Sequence, residues 1–253
     1  MLSRSFAVIV GVTLVTGCAT YTTPGGGFVV GGNAKNGAAK GDASIATIMA
    51  REPAAAFPAR IAIVRAQAPD YSAYNSGCYG RGYYCVITAR DVESESDFEQ
   101  LGRLPMIAAV APMNRMVIGH ELNDVGDLRR AAAELRADML LLYSFDTRVH
   151  VDAKDLGPLQ TVSLGFLRNR QAHVDTTASL ALYDVRTGFL YGLAEATARE
   201  DQRASVWSTQ SVIDKARRSA EQRSFSDLIS EFGLLWKGVV ETHVAQPVAA
   251  TVN

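Results

Sequence analysis

Hydrophobic and polar positions along this chain change their spacing from segment to segment, and the spacing predicts the elements. Residues 59–65 (ARIAIVR) read as a strand, and 83–90 (YYCVITAR) as a second. Residues 94–104 fit a short helix with Phe98 and Leu101 on one face and a capping box from Ser96 to Glu99. Residues 106–113 (MIAAVAPM) make a third strand, stopped by Pro112. Over 124–137, Val125, Leu128, Ala132 and Leu135 recur at helical spacing with arginines opposite. Residues 139–145 (MLLLYSF) follow at once, apolar on both faces as a central strand requires. Strand, helix, strand in this order predicts a right-handed crossover.

The remaining pattern is a meander and a helix. Residues 159–167 and 174–185 are expected to pair around a polar tip at 168–171, and 189–199 to return after Arg186-Thr187-Gly188. Ala178, Leu180 and Leu182 alternate with Thr177, Ser179 and Tyr183, as a sheet with one buried face demands. Phe225, Leu228, Phe232, Leu235, Trp236 and Val239 then mark a long helix over 209–244. Lys215, Arg217, Arg218 and Arg223 give its first half a positive face, either solvated or meeting anionic lipid, glycan or an acidic partner. The expected fold class is α+β: a mixed, largely antiparallel sheet with one crossover helix and a long C-terminal helix.

The chain starts differently. Residues 6–15 (FAVIVGVTLV) are an apolar run of about ten residues, the length of a signal-peptide core and half that of a membrane span. Val15-Thr16-Gly17-Cys18 follows, and here the sequence resembles the lipobox of bacterial lipoprotein precursors. That resemblance implies cleavage before Cys18, lipid on its thiol and, with Ala rather than Asp at position 19, an outer-membrane address facing the periplasm. Residues 19–56, rich in Gly, Ala and Asn, cannot bury much apolar surface and read as a tether. The organisation expected is a signal peptide at 1–17, lipidated Cys18 with a flexible tether at 18–57, an α+β domain at 58–244 and a disordered tail at 245–253.

Composition narrows the chemistry. A formal net charge of −1 gives no global argument for nucleic acid. Of three Cys, Cys18 is accounted for by lipid, and Cys78 and Cys85 in SGCYGRGYYC are a natural disulfide pair, helped by Gly77, Gly80 and Gly82. A reduced, structural pair is the alternative. The spacing suits zinc poorly. Tyr71, Tyr74, Tyr79, Tyr83 and Tyr84 crowd this loop, either as a partner surface or packed on the sheet. Tyr79, Arg81 and Tyr83 here, with Lys215 and Arg218 on the long helix, are the candidate partner-binding residues.

No hydrolase, metalloprotease, phosphate-loop or redox motif is present. His150-Val151-Asp152 and His173-Val174-Asp175 repeat a tripeptide whose His and Asp point the same way on a strand. If the two strands adjoin, His150, Asp152, His173 and Asp175 could converge on a metal; otherwise they are solvated loop-end residues. Trp207 and Trp236 read as core.

Residues 128–143 (LRRAAAELRADMLLLY) form a helix ending in Ala-Asp and running straight into an apolar strand, and 182–188 (LYDVRTG) form a strand–Asp-x-x-Thr-Gly turn ahead of another strand. Together, over about residues 58–240, these are similar to the curli-secretion lipoprotein family (CsgG-like), to the N-terminal domain of TolB, and to small lipoproteins that activate penicillin-binding proteins. The resemblance implies a periplasmic α/β domain that binds proteins, itself included, without catalysis or cofactor. Residues for a secretion channel's barrel hairpins are missing. The expected role is thus a non-enzymatic interaction module in envelope assembly, secretion or cell-wall synthesis. A metal-dependent envelope enzyme and a structural coat lipoprotein are the alternatives.

Overall fold

A computed structural model describes residues 42–71, 77–153, 170–204 and 209–244. The expected signal peptide, Cys18, Tyr74, the strand at 159–167, Trp207 and the tail at 245–253 fall outside these residues. In chain order the elements are α1 (Asp42–Met49), β1 (Ala59–Gln67), β2 (Arg81–Gly82), β3 (Cys85–Ile87), α2 (Glu95–Gly102), β4 (Ile107–Pro112), β5 (Glu121–Leu122), α3 (Val125–Glu134), β6 (Met139–Ala153), β7 (Arg170–Asp184), β8 (Leu190–Ala204) and α4 (Thr209–His243).

The main sheet runs β3-β1-β6-β7-β8, with β4 also paired to β1, while β2 and β5 form a small separate ribbon. β1 is parallel to β4 and β6 but antiparallel to β3, and the β6–β7–β8 ladder is antiparallel throughout. The fold is therefore α+β with a mixed sheet, a crossover from β1 to β6 that carries α2 and α3, and a long C-terminal helix. Alternation along the strands divides the core. Ile61, Leu141, Phe145, Leu180 and Leu182 meet Phe225, Phe232 and Trp236 of α4 on one face. Ala62, Val64, Leu140, Leu142 and Ala181 meet Leu128 and Ala132 of α3 on the other.

Several boundaries differ from expectation, each for a local reason. The central strand does not stop at Phe145. Beyond it, Thr147 stays buried and Val149 packs against α4, while Asp146, Arg148, His150 and Asp152 turn outward, so β6 continues as a one-face strand. β7 pairs with this extension, from Met139↔Asp184 to Ala153↔Arg170, and with β8 on its other side. The second strand shrinks to three residues. The capping box of α2 is built on Ser94 and Asp97, not Ser96 and Glu99. α3 stops before Ala137 because Arg136 takes the left-handed conformation, φ 53°, and Ala137 N–H donates back to Ala132 O (3.1 Å).

The register defines two ends of the molecule. At the near end lie the starts of β1 and β6 and the β7–β8 turn, through Ile61↔Met139 and Met139↔Asp184. About midway along β6 lie the end of β1, level with Phe145 through the Gln67 side chain, and the disulfide loop through Gln67↔Cys85; at the far end lie the tips of β6, β7 and β8. A strand of 15 residues separates the ends by roughly 50 Å.

Residues 51–57, expected to belong to the tether, lie on the near end. Arg51 Nη1 donates to Gly188 O (3.2 Å), Ala54 N–H to Asp184 Oδ2 (2.6 Å), and Phe57 sits 5.8 Å from the Trp236 ring. The docked domain thus begins near Arg51 and not at Pro58. Asp184 organises this junction. Its Oδ1 accepts from the N–H groups of Arg186 and Thr187, and its Oδ2 also accepts from Tyr191 OH. Burial would raise this carboxyl, but those donors outweigh it and hold it below its ordinary range.

Candidate functional site

The disulfide loop starts from its cysteines. Cys78 and Cys85 are bonded, with Cα atoms 5.2 Å apart. Closing so small a ring removes about 2.5 kcal/mol of chain entropy from the unfolded state. The backbone needs Gly82 here: φ is +136° and a Cβ would meet Leu122 O at 2.1 Å. The tyrosines divide between the two readings. Tyr71 and Tyr84 are buried; the Tyr84 hydroxyl donates to Asp124 O (2.8 Å), and burial pushes its pKa up. Tyr79 is half-buried, under Arg115 at 5.4 Å and edge-on to His120. Arg81 and Tyr83 are exposed.

On α4 the positive face is neutralised by carboxylates. Lys215 is exposed, but Arg218 pairs with Asp214 (3.2 Å) and Arg223 with Glu200. Arg217 is not on a solvated face. It is 2% exposed and belongs to a buried ionic cluster that the sequence reading missed. Arg65 of β1 lies at its centre, donating to Tyr71 OH (2.7 Å) and Glu221 (3.3 Å), with Asp91 at 3.4 Å and Glu93 at 3.6 Å. Arg217 bridges Glu221, Asp214 and Asp91. Tyr143 OH donates to Glu93 (2.7 Å) and Thr147 OH to Glu221 (3.1 Å).

Burial works against the Arg65 charge, but Glu221, Tyr71 and Glu93 outweigh it and raise its pKa above the ordinary value. Burial pushes Glu221 up, against the pull of Arg65, Arg217 and Thr147. Beside the cluster is a cavity of about 20 Å³ lined by Arg65, Thr88, Arg90, Glu93, Phe98 and Tyr143. Its volume suits one water, not an organic substrate. The cluster ties β1, β6, α4 and the loop before α2 together, which is a structural task.

The repeated tripeptides do adjoin, since His150 and His173 are direct cross-strand partners. His150 Nε2 is 3.0 Å from Asp152, and His173 lies 2.6 Å from Asp201. Asp175 does not join them. It pairs with Arg199, whose hydrogen bond, the largest influence, holds its carboxyl below the ordinary range. Among the described residues no group of three or more His, Cys, Asp or Glu is arranged to hold a metal. Together, Arg148, His150, Asp152, His173, Asp175 and Arg199 form an open polar face on the far half of the sheet, with α4 on the other side.

The five candidate partner-binding residues lie away from the near end, on opposite faces of the sheet. Tyr79, Arg81 and Tyr83 flank the α3-side core next to Val86 and Leu122. Lys215 and Arg218 lie on the first half of α4, beside Ala216, which packs on Val174. Among the described residues no helix is long and apolar enough to cross a membrane.

No family model and no curated protein matches this chain. Among solved structures, a DUF330-family protein from Xanthomonas campestris matches at 12% identity, over 75% of this chain and 90% of that one, with a TM-score of 0.34. Lipoprotein GNA1162 from Neisseria meningitidis matches at 13% identity, over 57% and 85%, with a TM-score of 0.28. A PelC dodecamer from Paraburkholderia phytofirmans matches at 13% identity, over 72% and 94%, with a TM-score of 0.27. Likenesses this distant carry no conclusion about the chain's fold or role.

Proposed function

We propose that this chain is a non-enzymatic interaction module, held at the outer membrane by lipid on Cys18 and facing the periplasm, where it serves envelope assembly, secretion or cell-wall synthesis. The observation that carries the reading is the polarity of the molecule. The segment arriving from the N-terminus docks at the near end, by Arg51, Ala54 and Phe57. The loop carrying Tyr83 and Arg81 is level with Phe145, roughly 20 Å from Met139 along β6, Lys215 adjoins Ala216 where it packs on Val174, and the open polar face runs on toward the strand tips. Such a body holds its contact surfaces out from its anchor. The bond between Cys78 and Cys85 supports the same reading, since it suits an oxidising compartment and leaves Cys18 for lipid. The short Leu135–Asp138 link from α3 into β6, and the Asp184 turn before β8, support a CsgG-like or TolB-like ancestry for the domain.

The test is crosslinking in intact cells from photoreactive residues placed singly at Tyr83, Arg81 and Lys215. One discrete envelope protein, or a second copy of this chain, should be captured from at least one of these three positions and not from Glu52 at the near end. Equal diffuse capture from all four positions would remove the reading.

A further inference from the structure

The near end carries chemistry that a docked tether does not use. Exposed large apolar side chains occur at this end and on α1, which adjoins it through Arg51. Ile45, Ile48 and Met49 fall on one face of α1 and are 54%, 57% and 81% exposed. Leu190 and Leu193, at the start of β8, are 39% and 60% exposed. Val244, one residue past His243, whose ring packs on Phe189 and Tyr191, is exposed at the same end. Isolated exposed hydrophobics are ordinary, but a group at one end marks a contact surface.

Arginines surround this group. Arg51 donates to Gly188 O, and Arg129 donates to Asp184 O, Val185 O and Arg186 O at 2.8–3.2 Å. Arg186 points into solvent from the same turn. Burial, followed by the nearness of Arg51, lowers the Arg129 pKa, as expected where like charges crowd. Gly188 fixes the packing: its φ is +71° and a Cβ would meet the Arg129 guanidinium at 2.6 Å. Asp184, among these arginines, is buried and committed to four donors, and Asp138 nearby accepts from the Arg60 N–H, while exposed Glu52 follows Arg51.

We infer that the near end is a membrane-contact surface, in which α1 and the Leu190–Leu193 segment enter the interface of an anionic bilayer while Arg51 and Arg186 meet lipid phosphates. Exposed apolar side chains on α1 and the start of β8, beside Arg51 and Arg186, fit that boundary, where apolar insertion and attraction to anionic headgroups act together. A protein partner or a second copy is disfavoured by the place, because the chain preceding α1 enters the domain at this same end. The inference rests on the anchored-module reading but does not depend on the lipid. It assigns α1 a task, namely fixing which end of the domain faces the bilayer.

The test uses residues 18–253 bearing Cys18→Ser, so that no acyl chain contributes, with vesicles of phosphatidylglycerol and phosphatidylethanolamine or of phosphatidylcholine alone. The protein should sediment with the anionic vesicles and much less with the neutral ones. Arg186→Gln should weaken binding about fivefold, the effect of one basic residue at such a surface. Ile48→Ser with Met49→Ser and Leu193→Ser should abolish it, with circular dichroism unchanged since all three side chains are exposed. Three results would each overturn the inference: no binding to anionic vesicles, equal binding to both vesicle types, or a concentration-dependent dimer that the triple variant dissolves while vesicles bind nothing. Because the lipid is absent, none of these outcomes bears on whether Cys18 is acylated.

Discussion

Arg65→Ala should cost about 3–5 kcal/mol of unfolding free energy, a large share of the roughly 5–15 kcal/mol that holds a domain together. The residue is 1% exposed and faces Glu221, Asp91, Glu93 and the Tyr71 hydroxyl. Removing it leaves several acceptors and negative charges buried without their main partner, and that penalty exceeds the net worth of any single pair. It also removes a guanidinium stacked 4.6 Å from the Phe145 ring. Urea unfolding should show a lower midpoint with little change in slope. A loss below about 1 kcal/mol, the range of surface pairs, would mean that the cluster is hydrated and not buried.

Glu221 gives the same cluster a pH signature. Burial raises its folded-state pKa above the ordinary 4.5. A raised folded pKa means that the native state holds the proton more tightly than the unfolded chain. That stabilisation is fully present below pH 4.5 and is lost as pH rises through the folded value. Glu221→Gln should flatten this part of the stability–pH curve while keeping the hydrogen bond from Thr147.

Trp236→Ala should be comparably severe, at about 3–5 kcal/mol. The ring is fully buried, stacks on Phe232 at 6.0 Å, meets Phe57 at 5.8 Å, and donates from Nε1 to Pro105 O (2.7 Å). It joins three separate pieces: α4, the turn before β4 and the docked N-terminal segment. Trp236→Phe keeps most of the apolar area and should lose only about 1–1.5 kcal/mol with the hydrogen bond. Limited proteolysis offers a second readout. In Trp236→Ala, cleavage after Arg51 should accelerate more than cleavage within β7, because Phe57 loses its seat first.

Those two clusters show what was legible in the sequence. Strand and helix identities followed from period alone. The alternation Ala178, Leu180, Leu182 placed β7 correctly, and the stripe Leu128 and Ala132 placed α3. Periodicity does not encode partners. The Thr147-Arg148-Val149-His150 alternation, a period-two pattern hidden behind the apolar run, makes β6 long enough to pair along the whole of β7. The ionic cluster was hidden for a related reason. Arg217 was read as solvated by residue type, yet Asp214, Arg217 and Glu221 are spaced three and four apart, between Ile213, Ala216 and Ala220 on the buried side. That spacing could have been read as a helix face carrying its own counter-charges inward. The Ala54–Asp184 contact had no local signal at all, since it joins positions 130 apart. The disulfide was legible because its partners are seven residues apart. His150 and His173 were brought together as their repeat suggested, while Asp175 was drawn off by Arg199, a neighbour on β8 that tripeptide spacing cannot show.

The proposed role follows first from the lipid on Cys18. Full-length chain carrying Cys18→Ser should be compared with the unaltered chain by fractionation of cells, after a wash at about 1 M salt to screen the arginine contacts. The unaltered chain should remain with the outer membrane, and the Cys18→Ser chain should be recovered folded, with Cys78 and Cys85 oxidised, in the soluble periplasmic fraction. Retention of the Cys18→Ser chain in the washed membrane at the unaltered level would contradict the account.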